Sequence, residues 1–137
     1  DNLLFEEPSL NDVQFLEDQF YDFNRTATGI HDGRALGIFL RDDPGTILAA
    51  AVGHTWGGTC ELREGWVVEA RRRAGLGRRL LAAAEAEATR RGCSQLVLTT
   101  HSFQAPDFYR KLGFEVVSEL PDYPRGHAYL GLRKSRV

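Results

Sequence analysis

The amino-acid sequence predicts an α/β fold of the α+β kind. It comprises a mixed, mostly antiparallel sheet of six or seven strands, flanked by about four helices, with a central parallel βαβ crossover. Three observations carry the prediction. Apolar runs at residues 35–40 (ALGIFL), 46–52 (TILAAAV) and 59–68 follow one another through turns, which is a meander. Residues 67–92 then read as a strand end, a glycine turn and a long helix, and 94–100 (SQLVLTT) follows as a buried strand. Strand, helix and strand of that length make a parallel crossover. Runs at 114–120 and 127–132 close the chain as a last pair of strands. At 137 residues, with 42% apolar and 26% charged side chains, the whole chain (1–137) is the size of one globular domain with a real core.

Each element has its own signal. Residues 3–5, a short apolar run before Pro8, are expected as a first strand. Ser9, Asn11 and Asp12 are helix N-cap candidates. Leu10, Val13, Leu16, Phe20 and Phe23 recur at helical spacing and form one face of a first helix. Residues 24–33 are polar, hold Gly29 and Gly33, and read as a loop with room for a broken second helix. Asp42, Asp43, Pro44 and Gly45 between two apolar runs are hairpin chemistry, and 53–58 make a second turn. The strand at 59–68 is polar in its middle (Glu61, Arg63, Glu64), and Gly65 within it marks a bulge or the close approach of another backbone. In the long helix, Leu76, Leu80, Leu81, Ala84 and Ala88 form one stripe that packs on the sheet. Each buried leucine contributes roughly 1.5–3 kcal/mol. Glu87 and Arg91 pair at i,i+4 on its outer face, and Gly92 ends it in the left-handed conformation. Pro106 opens a short helix over 107–111, which Gly113 stops.

The turn between residues 67 and 78 carries the chemistry. Arg72, Gly75 and Gly77 stand at R-x-x-G-x-G spacing, with Arg71, Arg73, Arg78 and Arg79 around them. A helix opening directly after a strand leaves free N–H groups that converge on one point, and its dipole adds positive potential there. A phosphate or pyrophosphate suits such a place. A dinucleotide fold would need G-x-G-x-x-G after the first strand, and only G-x-G is present, after a meander. A P-loop needs a lysine after its second glycine, and none follows Gly77. The plain alternative is a solvated arginine-rich helix start whose glycines serve packing.

Composition excludes several classes. A net charge of −2 gives no global attraction to nucleic acid, and no aromatic platform interleaves the arginines. Cys60 and Cys93 form no CxxC or Cys/His cluster, so no metal site is expected. They read as buried free thiols of a reducing, cytoplasmic setting. No apolar run approaches the ~20 residues that span a bilayer, and no signal peptide is visible, so no membrane partner is expected.

Taken together, V-x-x-x-x-R-x-x-G-x-G (Val67, Arg72, Gly75, Gly77), the long helix, the parallel strand and A-x-x-F-Y-R-K-L-G-F over 105–114 resemble the GNAT superfamily of acyl-CoA-dependent N-acyltransferases. The resemblance covers most of the chain in order. Ser102, Phe103, Gln104 and Ala105, with Tyr123, Pro124, Gly126 and His127, look like a bacterial subgroup of largely unassigned substrate. The resemblance implies acetyl-CoA as cosubstrate and a primary amine, of a small molecule, as acceptor. It implies that the backbone of Arg73, Ala74, Gly75, Leu76, Gly77 and Arg78 cradles the pyrophosphate, with Arg72 and other arginines tuning affinity. Gly65, Trp66 and Val67 would pair with the pantetheine arm and hold the acetyl carbonyl as an oxyanion hole does. Tyr109 would protonate the departing thiolate. Many members carry an asparagine that touches the pantetheine where Ser102 stands, which makes Ser102 a further cofactor-binding candidate, and a bulky apolar residue where Gly65 stands. GNAT-like domains often form homodimers, and the last strands offer edges for pairing.

An amine acceptor with a lysine-like pKa near ~10.4 must lose a proton before or during attack. Glu61 matches the place of a catalytic glutamate in some lysine-acetylating members and is the first candidate. Glu64, His54, His101 and His127 stay open as alternatives. The acceptor wall is expected from residues 24–33, 54–58 and 123–127, which leaves polyamines, aminoglycoside-like drugs, amino acids and peptide N-termini all open. A non-catalytic acyl-CoA-binding module of the same fold is the alternative from another class.

Overall fold

The computed structural model describes residues 2–42 and 45–135, which fall into two compact units, Asp1–His31 and Asp32–Val137. In the first unit, α1 spans Leu10–Thr28. Ser9 and Asp12 form a reciprocal capping box: Asp12 N donates to Ser9 Oγ (3.1 Å) and Ser9 N to Asp12 Oδ2 (3.4 Å). Gly29, left-handed at φ 74, ends the helix by donating to Arg25 O (2.8 Å). The helix thus runs further than the expected loop at 24–33 allows, and residues 29–33 hold no second helix. Residues 3–5 are not a strand. Leu3, Leu4 and Phe5 are exposed, and so short a run with no ladder partner leaves its backbone to water.

The second unit is a six-stranded sheet with the order β1-β2-β3-β4-β6-β5. Its strands are β1 (Arg34–Arg41), β2 (Ile47–Trp56), β3 (Thr59–Val67), β4 (Gln95–His101), β5 (Glu115–Pro121) and β6 (Ala128–Ser135). β3 and β4 run parallel and every other pair is antiparallel. The expected hairpin turn between β1 and β2 lies partly outside the described residues, at Asp43 and Pro44; beside it, Asp42 N donates to Thr46 O (3.0 Å). The crossover is made by a 3-10 turn (Glu69–Arg71) and α2 (Leu76–Arg90), and α3 (Pro106–Lys111) precedes β5. With α1, the described residues hold three α-helices beside the 3-10 turn, in keeping with the expected four or so. None of them is long and apolar enough to cross a membrane.

The helical stripe of α2 is buried as its period predicts: Leu76, Leu80, Leu81, Ala84 and Ala88. Leu81, Ala84 and Ala88 join Leu62, Leu96, Leu98, Phe114 and Leu132 in the main core, while Leu76 and Leu80 pack with Ala49 and Ala51. Gly92 is left-handed at φ 82, as expected. The Glu87–Arg91 pair is not on the outside. The Arg91 side chain is 12% exposed, bonds Glu87 at 2.9 Å, and reaches over the sheet to Ala35 O and Thr55 Oγ1, both at 3.0 Å.

Two irregularities of β3 position the site. The register with β2 slips between Val52 and Gly53, which face Glu64 and Leu62, so Arg63 is the extra residue of a bulge. A Cβ at Gly53 would strike the Glu61 carbonyl, so glycine is required there and the close approach expected at Gly65 occurs one strand away. Second, the parallel ladder with β4 covers only Thr59, Cys60, Glu61 and Leu62. Beyond Leu62 the two strands separate, and residues 64–67 keep β2 on one side while β4 no longer pairs with the other, where Val67 O is held by Arg72.

Candidate active site

A cleft of ≈ 780 Å³ opens where β3 and β4 part. Its walls are the free edge of β3 (Arg63, Glu64, Gly65, Trp66, Val67), the start of α2 and the residues before it (Arg71, Arg72, Arg73, Gly75, Leu76, Gly77, Arg78), and α3 with its approach (Gln104, Ala105, Phe108, Tyr109). Three distant stretches of sequence meet here because the crossover returns α2 across the sheet while β4 delivers α3 to the opposite side of the gap.

The turn that opens α2 is shaped by its backbone. Arg73 (φ 65) and Gly75 (φ 81) are both left-handed, and Gly75 is the N-cap of α2. Left-handed residues in such a turn swing successive N–H groups toward one point. The first bond of the helix is Arg79 N to Gly75 O (3.1 Å), so the N–H groups of residues 76–78 precede the ladder and open toward the cleft. A non-glycine residue held left-handed costs on the order of 1–2 kcal/mol, which the fold bears at Arg73. Arg72 has a narrower task than free charge: its Nε donates to Val67 O (2.9 Å) and clasps the turn to the strand end. Gly77 serves packing, since a Cβ there would stand 3.3 Å from Phe108 Cζ.

At the other end sits Tyr109, half-buried on α3. Its ring meets Phe108 (5.2 Å, edge-on) and Phe114 (5.7 Å, edge-on). Burial disfavours the phenolate and pushes its pKa above the ordinary tyrosine value. The hydroxyl therefore stays protonated at neutral pH, on a residue that lines the cleft. Gln104 also lines the cleft; the sequence marked it only within the Ser102–Ala105 pattern, with no role of its own. Its Oε1 accepts from His101 N (2.7 Å) and Thr100 Oγ1 (3.2 Å), which turns its amide NH2 the other way. That pattern, in the loop before a proline-started helix, is the sequence signal that points to it.

Of the sequence-predicted residues, Gly65, Trp66, Val67, Arg72, Arg73, Gly75, Leu76, Gly77, Arg78 and Tyr109 all line the cleft. Ala74 belongs to the same turn but not to the lining. Ser102 stands outside it, its Oγ accepting from Ala128 N (2.9 Å) and its N donating to Ala128 O (2.8 Å), a clip between the end of β4 and β6. Glu61 also stands outside, paired with Arg63 at 3.3 Å and facing His54 across the β2–β3 ladder. His54 titrates below its ordinary value, through burial first and the Arg63 charge second. His101 is held in an aromatic cluster against Phe103, Tyr123 and Tyr129, with Nδ1 3.0 Å from Tyr123 O, and His127 packs on Phe103. Among the five candidate bases, only Glu64 lines the cleft. Among the described residues no cluster of His, Cys, Asp and Glu is placed to hold a metal ion.

Comparison with known proteins bears on this geometry. Residues 2–114 match the model of the acetyltransferase (GNAT) family. Blasticidin-S acetyltransferase of Streptomyces morookaense is 35% identical over 103 residues, covering 72% of this chain and 76% of that protein. An acetyltransferase of Agrobacterium fabrum (strain C58) is 32% identical over 119 residues, 87% of each chain. A crystal structure assigned to an acetyltransferase of Agrobacterium tumefaciens superposes with a TM-score of 0.87 at 29% identity, over 98% of each chain.

Proposed function

The chain belongs to the acetyltransferase (GNAT) family and is an acyltransferase, and on that premise we propose that it moves an acetyl group from acetyl-CoA to the primary amine of a small molecule, in the cytoplasm. One observation supports this most: the strand edge at 64–67 that β4 leaves unpaired, the N-terminus of α2 and Tyr109 border a single cleft. The N–H groups of residues 73–78 bind the pyrophosphate, helped by Arg71, Arg73 and Arg78 at the cleft mouth. The edge of Gly65, Trp66 and Val67 receives the pantetheine amides as an added strand would, and a backbone N–H there polarises the thioester carbonyl.

The amine nitrogen attacks the carbonyl carbon and gives its proton to a base. The tetrahedral intermediate collapses, the C–S bond breaks, and Tyr109 donates its proton to the sulfur. Tyr109 regains a proton from solvent before the next turnover. Glu64 is the base this geometry favours, since its carboxylate borders the cleft; Glu61 would act only through water from outside it. The name of the Streptomyces relative makes blasticidin S the first acceptor to try.

The test is a panel of amines, blasticidin S, polyamines, aminoglycosides and amino acids among them, with released CoA thiol as readout. Cys60 and Cys93 are buried, so the protein's own thiols add little background. Acetyl-CoA turnover on at least one small amine is expected. Acetyl-CoA binding with no turnover on any amine would instead favour a non-catalytic binding module, and no binding would end both readings.

A further inference from the structure

We propose that Gly65 opens a recess for the acyl chain, so that beside acetyl-CoA the cleft takes, and binds more tightly, a thioester of the linear butyryl class. This rests on the reading that the cleft holds an acyl-CoA thioester against the β3 edge. Three observations support it.

The inner row of β3 has a gap. Cys60 and Leu62 are buried among α2's core partners, and Val67 packs with Leu76 and Leu80 of α2. After the bulge at Arg63, Gly65 is the member of that row between Leu62 and Val67. Its partner across the ladder is Ala51, buried at 7% exposure and facing the same helix. At this level neither strand sends anything larger than a methyl group toward α2.

The gap is open space. A Cβ built on Gly65 would meet no heavy atom within 4 Å, whereas one on Gly53 would strike the Glu61 carbonyl and one on Gly77 would press on Phe108. The backbone does not call for glycine either, because Gly65 sits in regular β3 and is not among the positive-φ glycines. A valine or leucine would suit both the conformation and the space, and a strand gains from either over glycine. What glycine provides here is room.

The room is apolar and lies beside the expected thioester. Leu62, Leu80, Leu98 and Phe108 line the same cleft with Ala51. With the carbonyl held at the Gly65–Val67 edge, the acyl chain leaves toward the gap. A linear chain of about four carbons fills roughly the volume a leucine would have occupied. Each methylene that leaves water there tightens binding by about fourfold, so butyryl-CoA should bind on the order of tenfold tighter than acetyl-CoA.

The experiment is titration calorimetry of the whole chain with CoA, acetyl-CoA and butyryl-CoA, repeated for Gly65→Ala and Gly65→Val. The expected result is a butyryl-over-acetyl preference of about tenfold in the wild type, reduced in Gly65→Ala and lost in Gly65→Val, read as the ratio of the two affinities within each protein so that any change in the shared pantetheine contacts cancels. Circular dichroism and thermal melting of each variant show that it folds. CoA binding with no chain-length preference in the wild type would overturn the recess and leave the acyl-CoA reading standing. A preference that survives Gly65→Val would overturn it too. Failure of all three ligands to bind would overturn both.

Discussion

Replacing Tyr109 with phenylalanine separates binding from chemistry in this cleft. The ring packs on Phe108 and Phe114 at 5.2 and 5.7 Å, and phenylalanine keeps those contacts. The hydroxyl serves no structural hydrogen bond among the described residues, and burial alone shifts its pKa upward. Removing it strands no partner, so stability should change by less than about 1 kcal/mol. The thioester sulfur becomes a strong acceptor only as the C–S bond breaks, so acetyl-CoA should bind Tyr109→Phe within about twofold of wild type. Loss of a general acid costs about 10²-fold or more in kcat, about 2.7 kcal/mol of barrier. Calorimetry gives the first quantity and steady-state release of CoA thiol the second. A kcat within about threefold of wild type would refute the acid role. So would a large loss of acetyl-CoA affinity with turnover intact at saturation.

Other predictions concern the base, the core and pH. Glu64→Gln should lower kcat at neutral pH and remove the acid limb of its pH profile, while Glu61→Gln should leave that limb in place; the reverse pattern would return the role to Glu61. Arg91→Met should destabilise by on the order of 2–3 kcal/mol in urea titrations, since Ala35 O and Thr55 Oγ1 lose their donor while Glu87 keeps Arg90 at 2.7 Å. Burial pushes the Cys60 thiol up from 9.0 to about 11, and it pushes Tyr109 upward as well. Because the folded values exceed the unfolded ones, this stability is whole below pH 9 and is lost as pH rises through 11. Unfolding followed between pH 8 and pH 11 should show that decline, and Cys60→Ala should flatten it.

Much of the fold was legible because periodicity is insensitive to neighbours. The stripe Leu76, Leu80, Leu81, Ala84, Ala88 needs only the helix period, and all five residues are buried. The meander and crossover followed from turn residues and lengths. The site was partly legible for a similar reason: a glycine turn between strand and helix is local, and so is the run that places Tyr109 on α3. What escaped depends on register. Strict alternation through β3 would set Gly65 opposite to Leu62, but the bulge at Arg63 reverses the phase. Ser102 could not be separated from the cleft without knowing that Ala128 lies beside it. Arg91 showed its partner Glu87 by spacing alone, yet its reach to Ala35 and Thr55 depends on where the crossover sets α2 down. Residues 3–5 misled because an apolar run states a preference for burial, not the presence of a partner strand.

The central claim is that the turn before α2 holds the pyrophosphate of CoA through its backbone. Gly75 is left-handed at φ 81, and a Cβ at Gly77 would crowd Phe108 at 3.3 Å. A valine at Gly75 therefore twists the N–H groups away from their common point, while loss of the Arg78 side chain leaves them in place. The measurement is the acetyl-CoA affinity of wild type, Gly75→Val, Gly77→Leu and Arg78→Ala, with circular dichroism confirming the fold of each. Both glycine variants should lose more affinity than Arg78→Ala. Glycine variants that fold and bind acetyl-CoA as wild type does, or a wild type that does not bind it, would contradict the account.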